Sequence, residues 1–149
     1  DQIYSAKVWV ADATGAVNQS ANISANITQT SNVRIEAPAL VAVTPGEMSK
    51  IEFNVTNTGN LIESLKVTPT VEGDWSTDVT EIGMTLTINQ TITGQIIVSV
   101  PDLGGAQLLM DGSIFNLSLS VYDATSNAYK TGIIVQLRIG ALFDLEVED

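Results

Sequence analysis

The chain has 149 residues, with six Lys and Arg against seventeen Asp and Glu, no Cys and no His. A net charge of -11 repels a polyanion, which excludes nucleic acid as a partner. The missing residue types exclude any Ser-His-Asp, Cys-His or His-based zinc site and any disulfide brace, and no run of about 18 apolar residues is present to span a membrane as a helix.

What remains is a chain that is 44% hydrophobic, enough to bury a core. It alternates with period 2 almost throughout, the pattern of strands with one face on a core and one in solvent. Tyr4, Ala6, Val8 and Val10 alternate with Ser5, Lys7 and Trp9, and Ile23, Ala25 and Ile27 with Asn22, Ser24 and Asn26. Beyond the Pro45-Gly46 turn, Ile51, Phe53 and Val55 alternate with Glu52, Asn54 and Thr56. The run Asn57-Thr58-Gly59-Asn60 predicts a tight hairpin turn, because Asn and Gly tolerate positive φ. Gly73-Asp74 is the next break, followed by Met84, Leu86 and Ile88 against Thr85, Thr87 and Asn89. Gly104-Gly105 and Asp111-Gly112 enclose the one helix-compatible stretch, Ala106 to Met110, which is too short for a helix of its own. Phe115, Leu117, Leu119 and Val121, and then Ile133, Val135, Leu137 and Ile139, complete the set. Many short strands separated by turn signals predict an all-β sandwich.

The first strand recurs. Residues 2–14, QIYSAKVWVADAT, match residues 113–125, SIFNLSLSVYDAT, at an offset of 111 with an identical Asp-Ala-Thr. With a slip of one residue, Ile23, Ala25 and Ile27 fall on Ile133, Val135 and Leu137, and Val33, Ile35 and Ala37 on Phe143, Leu145 and Val147. Two readings stand side by side: any two β-hairpins share such a pattern, or the chain is cut from tandem domains with a period near 110 residues. On the second, residues 1–31 form a terminal β-hairpin, the end of a preceding repeat or a donor element. Residues 32–140 form one sandwich, and residues 141–149 begin the next repeat or add a C-terminal strand.

Asn-X-Ser/Thr occurs six times, at Asn18, Asn22, Asn26, Asn54, Asn89 and Asn116. Asn54 and Asn116 alternate with core residues, and Asn22 and Asn26 face away from Ile23, Ala25 and Ile27; Asn18 shares that face if its strand starts early enough. Each such sequon points outward, where a glycan has room. Trp9 and Tyr122 are the aromatics expected on outer faces, placed to pack against a neighbour or to stack on sugar.

Carboxylates are the only groups left for chemistry. Asp74 and Asp78 flank Trp75, Asp102 and Asp111 bracket a Gly-rich loop, and Asp144, Glu146, Glu148 and Asp149 close the chain. None matches the spacing of a calcium loop, so solvated acidic loops are the plain reading and a calcium site at a repeat junction the minor one. No catalytic residue, no resident metal and no cofactor are assigned.

From residue 45, PGEMSKIEFNVTNTGNLIESLKVTPTVEGDWST resembles the opening of CARDB-like and NEW-type (α-galactosidase-associated) Ig-like domains. TLTINQTITGQIIVSVPDLGG and GSIFNLSLSVYDATSNAYKTGIIVQLRI resemble that family's middle strand and closing hairpin. The resemblance implies an Ig-like antiparallel β-sandwich, one unit of a tandem array, with Trp75 plugging one end and no catalytic residues. Such modules occur in archaeal and bacterial surface proteins and beside secreted hydrolases. The expectation is therefore a non-enzymatic, extracellular structural module of an N-glycosylated surface layer, stalk or filament. It would assemble with itself or with neighbouring repeats through β-strand contacts, as a homo-oligomer or polymer. The alternatives are an accessory carbohydrate-binding or spacer domain of a secreted hydrolase, and a calcium-dependent adhesin repeat.

Overall fold

A computed structural model describes residues 2–73, 75–102 and 112–140, and strands are the regular elements among them. The predicted helix-compatible stretch, the carboxylates Asp74, Asp111, Asp144, Glu146, Glu148 and Asp149, and the segment 141–149 lie outside the described residues. The chain divides into two compact units, Asp1–Thr30 and Ser31–Asp149.

The first unit is one antiparallel ribbon of β1 (Gln2–Ala11) and β2 (Val17–Ile27). Alternation sorts its side chains onto two faces. Tyr4 stands opposite Ala25, Ala6 opposite Ile23 and Val8 opposite Ala21 on one; Ser5 opposite Ser24, Lys7 opposite Asn22 and Trp9 opposite Ser20 on the other. Every described side chain of this unit is exposed.

The second unit is a two-sheet sandwich. One sheet runs β4 (Leu40–Val43), β11 (Tyr129–Ile139), β10 (Ile114–Asp123), β6 (Glu63–Val71) and β8 (Ile82–Leu86). The other runs β3 (Val33–Glu36), β5 (Met48–Asn57), β9 (Thr91–Ser99) and β7 (Ser76–Thr77). Three of the predicted apolar sets meet between them, Ile51, Phe53 and Val55 of β5, Leu117, Leu119 and Val121 of β10, and Val135, Leu137 and Ile139 of β11, together with Ile96 and Val98 of β9, and all of these are at or below 1% exposure. Trp75 is buried with its ring 4.8 Å from that of Phe115, as expected of a plug. Phe53 lies across its cross-strand partner Gly94, where a Cβ would overlap the ring, so only Gly lets the ring lie there.

Pro38 separates two short strands that belong to different sheets. β3 pairs antiparallel with β5, while β4 pairs parallel with β11. With no N–H to give a ladder, Pro marks where the chain leaves one sheet for the other.

Three expectations are corrected. Residues 57–60 form no hairpin turn: β5 and β6 lie in opposite sheets, and positive φ occurs at Gly46, Gly73, Gly112, Asn89 and Asn127 of this unit but not at 57–60. The chain crosses between sheets there because Asn57 anchors the corner. Its buried side chain donates from Nδ2 to Leu61 O at 2.5 Å and Leu86 O at 3.3 Å, and accepts from Gly59 N at 3.0 Å. Second, the strand of Met84 and Leu86 stops at Leu86. Ile88 is exposed in a turn closed by Gln90 N to Thr87 O at 3.1 Å, with Asn89 at φ 61. Third, the offset along the second strand of the internal match is 112 rather than 110. Ala21, Ile23 and Ala25 face Val8, Ala6 and Tyr4 as Ile133, Val135 and Leu137 face Leu119, Leu117 and Phe115.

Candidate functional site

The predicted sequon residues do not gather at one point. Asn22 and Asn26 are exposed on the polar face of the ribbon. Asn18 is the extra residue of a β-bulge, since Val10 pairs with Gln19 and Ala11 with Val17; its side chain lies outside the described ones. The bulge breaks the even spacing that would place Asn18 in line with Asn22 and Asn26.

Asn54 is exposed on the outer face of its sheet and accepts from Thr93 Oγ1 at 2.7 Å through Oδ1. A glycan attaches at Nδ2, so this bond does not use the reacting atom. Beside it Thr56 and Thr91 share a hydroxyl–hydroxyl bond of 2.8 Å, which joins the sequons of Asn54 and Asn89 into one polar ladder. Asn89 is exposed at the tip of the 87–90 turn. Asn116 differs: it is half-buried on β10, and Glu72 takes both its backbone N–H at 3.0 Å and its Nδ2 at 3.1 Å. There the atom that would carry a sugar is already held by a carboxylate.

Of the two expected interface aromatics, Trp9 is 57% exposed, with Lys7 Nζ 4.5 Å from its ring centroid. Tyr122 is half-buried instead, because Tyr129 packs edge-on against it at 5.8 Å. Tyr129 is the more exposed of that pair, at 62%.

Several of the described acidic side chains have local partners. Asp78 accepts Ile97 N at 2.9 Å, and Glu36 and Glu52 pair with Arg34 at 3.6 Å and Lys50 at 2.8 Å along their own strands. Those two carboxylates border a surface groove of about 460 Å³ that also touches Asn54 and Thr93. No three carboxylates converge as a cation site among the described residues. Glu63 is buried, with Lys130 Nζ 3.8 Å from Oε2, and Lys130 also donates to Ser31 Oγ at 2.6 Å. This pair ties the start of the sandwich to β11.

Two residues that the sequence did not single out individually shape both hairpin loops. Thr14 Oγ1 and N, then Ala16 N, donate to Asp12 and hold its carboxyl below the ordinary carboxylate range. Ser126 N and Oγ, then Thr125 N, do the same for Asp123. The shared Asp-Ala-Thr was the visible signal.

Residues 32–107, just over half of the chain, match the family model described as the VWA7 Ig-like domain. No curated protein matches the chain. Among solved structures, the CARDB domain of a Pyrococcus furiosus protein aligns with TM-score 0.50 and 13% identity over 75% of this chain and 95% of that one. A Streptococcus sanguinis adhesin aligns with TM-score 0.48 and 13% identity over 75% of this chain and 59% of that one. A C. elegans member of the MSP family aligns with TM-score 0.45 and 10% identity over 74% and 100%. The resemblance to CARDB-like Ig-like domains read from the sequence holds at the level of fold.

Proposed function

The chain belongs to the VWA7 Ig-like domain family, and we propose that it serves as a non-catalytic structural module of an extracellular, N-glycosylated surface layer, stalk or filament. Its neighbours are further copies or repeats, met through strand and repeat-to-repeat contacts. The observation that carries this reading is the placement of the sequons. The described ones lie outside the core: on the outer faces of both sheets, on a turn and on one face of the ribbon. Glycans there would cover and solubilise a surface with few Lys. Fold alone does not fix function, so location and assembly are tested directly.

The test is electron microscopy of material from the native source, joined to intact mass and glycopeptide mapping. A regular layer or filament whose subunits carry glycan on Asn22, Asn54 or Asn89 is the expected result. Unmodified monomers joined to a catalytic domain would overturn it.

A further inference from the structure

The ribbon β1–β2 and the hairpin β10–β11 share more than alternation. Both first strands have ten residues. Both registers slip at the same place, between Val10 and Ala11 and between Val121 and Tyr122. In both, an Asp carboxylate caps the loop through the backbone N–H two residues on, Thr14 at 2.9 Å and Thr125 at 2.9 Å. In both, one residue of left-handed backbone, Gly15 at φ 83 and Asn127 at φ 59, returns its N–H to the Asp carbonyl at 3.0 Å. The second loop carries one extra residue, which turns the offset of 111 into 112. Four cross-strand pairs then coincide: Tyr4–Ala25 with Phe115–Leu137, Ala6–Ile23 with Leu117–Val135, Val8–Ala21 with Leu119–Ile133, and Val10–Gln19 with Val121–Thr131.

Cover is what differs. The apolar face of β10–β11 is buried under the β3–β5–β9 sheet, with β6 antiparallel along β10 and β4 parallel along β11. The matching face of the ribbon is open, with Tyr4 51%, Val8 45%, Val10 59% and Ile23 55% exposed. It carries no charged side chain, whereas the opposite face carries Lys7, Asn22 and Asn26.

We infer that residues 2–27 are the closing hairpin of a second Ig-like sandwich, whose partner is a half-sandwich built like β3 to β9 of this chain. That partner seats its inner sheet on Tyr4, Ala6, Val8, Val10 and Ile23, lays one strand antiparallel beside β1 and another parallel beside β2. The occupant follows from continuity with the interface already built around β10–β11. Two ribbons packed face to face would cover the apolar face but leave all their edges unpaired, whereas a sandwich pairs both edges of the ribbon. Ala6, Ala21 and Ala25 are smaller than Leu117, Ile133 and Leu137, so the partner brings larger side chains to those points. The inference rests on hairpin geometry alone and stands whether or not the protein is a surface module.

The test is a graft within the full-length chain. Residues 114–139 are replaced by a copy of residues 3–27 in which Ala6→Leu, Ala21→Ile and Ala25→Leu match the lost volumes. The grafted strands should gain hydrogen-exchange protection and unfold with β3–β9 in one transition. Val8→Asp in the graft should abolish both, and Lys7→Asp should leave both intact. A volume-matched graft without protection, or one indifferent to Val8→Asp, overturns the inference. So does a wild-type dimer in sedimentation equilibrium that Val8→Asp dissociates, which would give the face to a second copy.

Discussion

The two hairpins, β1–β2 and β10–β11, have the same loop cap, the same bulge and the same register, yet one is exposed on both faces and the other holds part of the core. Local sequence sets the shape of a hairpin; burial of one face sets its stability. A two-stranded ribbon alone is marginal in water, whereas the same ribbon under a second sheet is part of a cooperative unit.

The sharpest way to break the comparison is to cut the same position in each. Leu119→Ala removes a fully buried side chain and should cost about 2–5 kcal/mol in denaturant melts of the sandwich. Val8→Ala, its counterpart in the ribbon, should shift the same melt by less than about 0.5 kcal/mol. Equal losses would show that the ribbon's face is buried after all.

Asn57→Ala should come next, at about 1–3 kcal/mol, because it takes the side-chain donor from the Leu61 and Leu86 carbonyls, while Gly59 N–H keeps Asn32 O. Gly94→Ala should cost a similar amount by driving Cβ into Phe53, and Phe53→Leu in the same chain should recover part of it. The ribbon has no counterpart to either device, so both variants should leave its amide signals in place.

The smallest effect should be the same in both hairpins. The Asp12 and Asp123 carboxyls are held below the ordinary value of 3.8 by loop hydroxyls and N–H groups. A lowered folded pKa contributes stability above 3.8 that is lost as pH falls through the folded value. NMR of Thr14, Thr125 and Ser126 amides should therefore show each cap releasing in acid, and Asp123→Asn should weaken its loop at neutral pH but not below that release.

Much of the sandwich was legible because burial imposes period 2. Ile51, Phe53 and Val55, or Leu117, Leu119 and Val121, declare their inner face without any tertiary information. The crossover at Asn57 was not legible, since Asn-Thr-Gly-Asn suits a hairpin or a corner equally and the choice depends on which sheet β6 joins. Ile88 continued the apolar phase into a turn that only Asn89's left-handed backbone reveals. The short β4, which begins two residues after Pro38, is four residues long and has too little length to show a period. As for the candidate surface, outward sequons follow from the same alternation, but Glu72, just past β6, reaches Asn116 from far along the chain, and Tyr129 meets Tyr122 only through the register of the β10–β11 hairpin, which spacing alone does not fix.

The most direct test of the account is residue-resolved hydrogen exchange on the full chain. Amides of β10 and β11 should exchange only through global unfolding of the sandwich, while those of β1 and β2 should exchange orders of magnitude faster despite a matching register. Protection of β1–β2 equal to that of β10–β11 would contradict it, because the ribbon would then already have its cover.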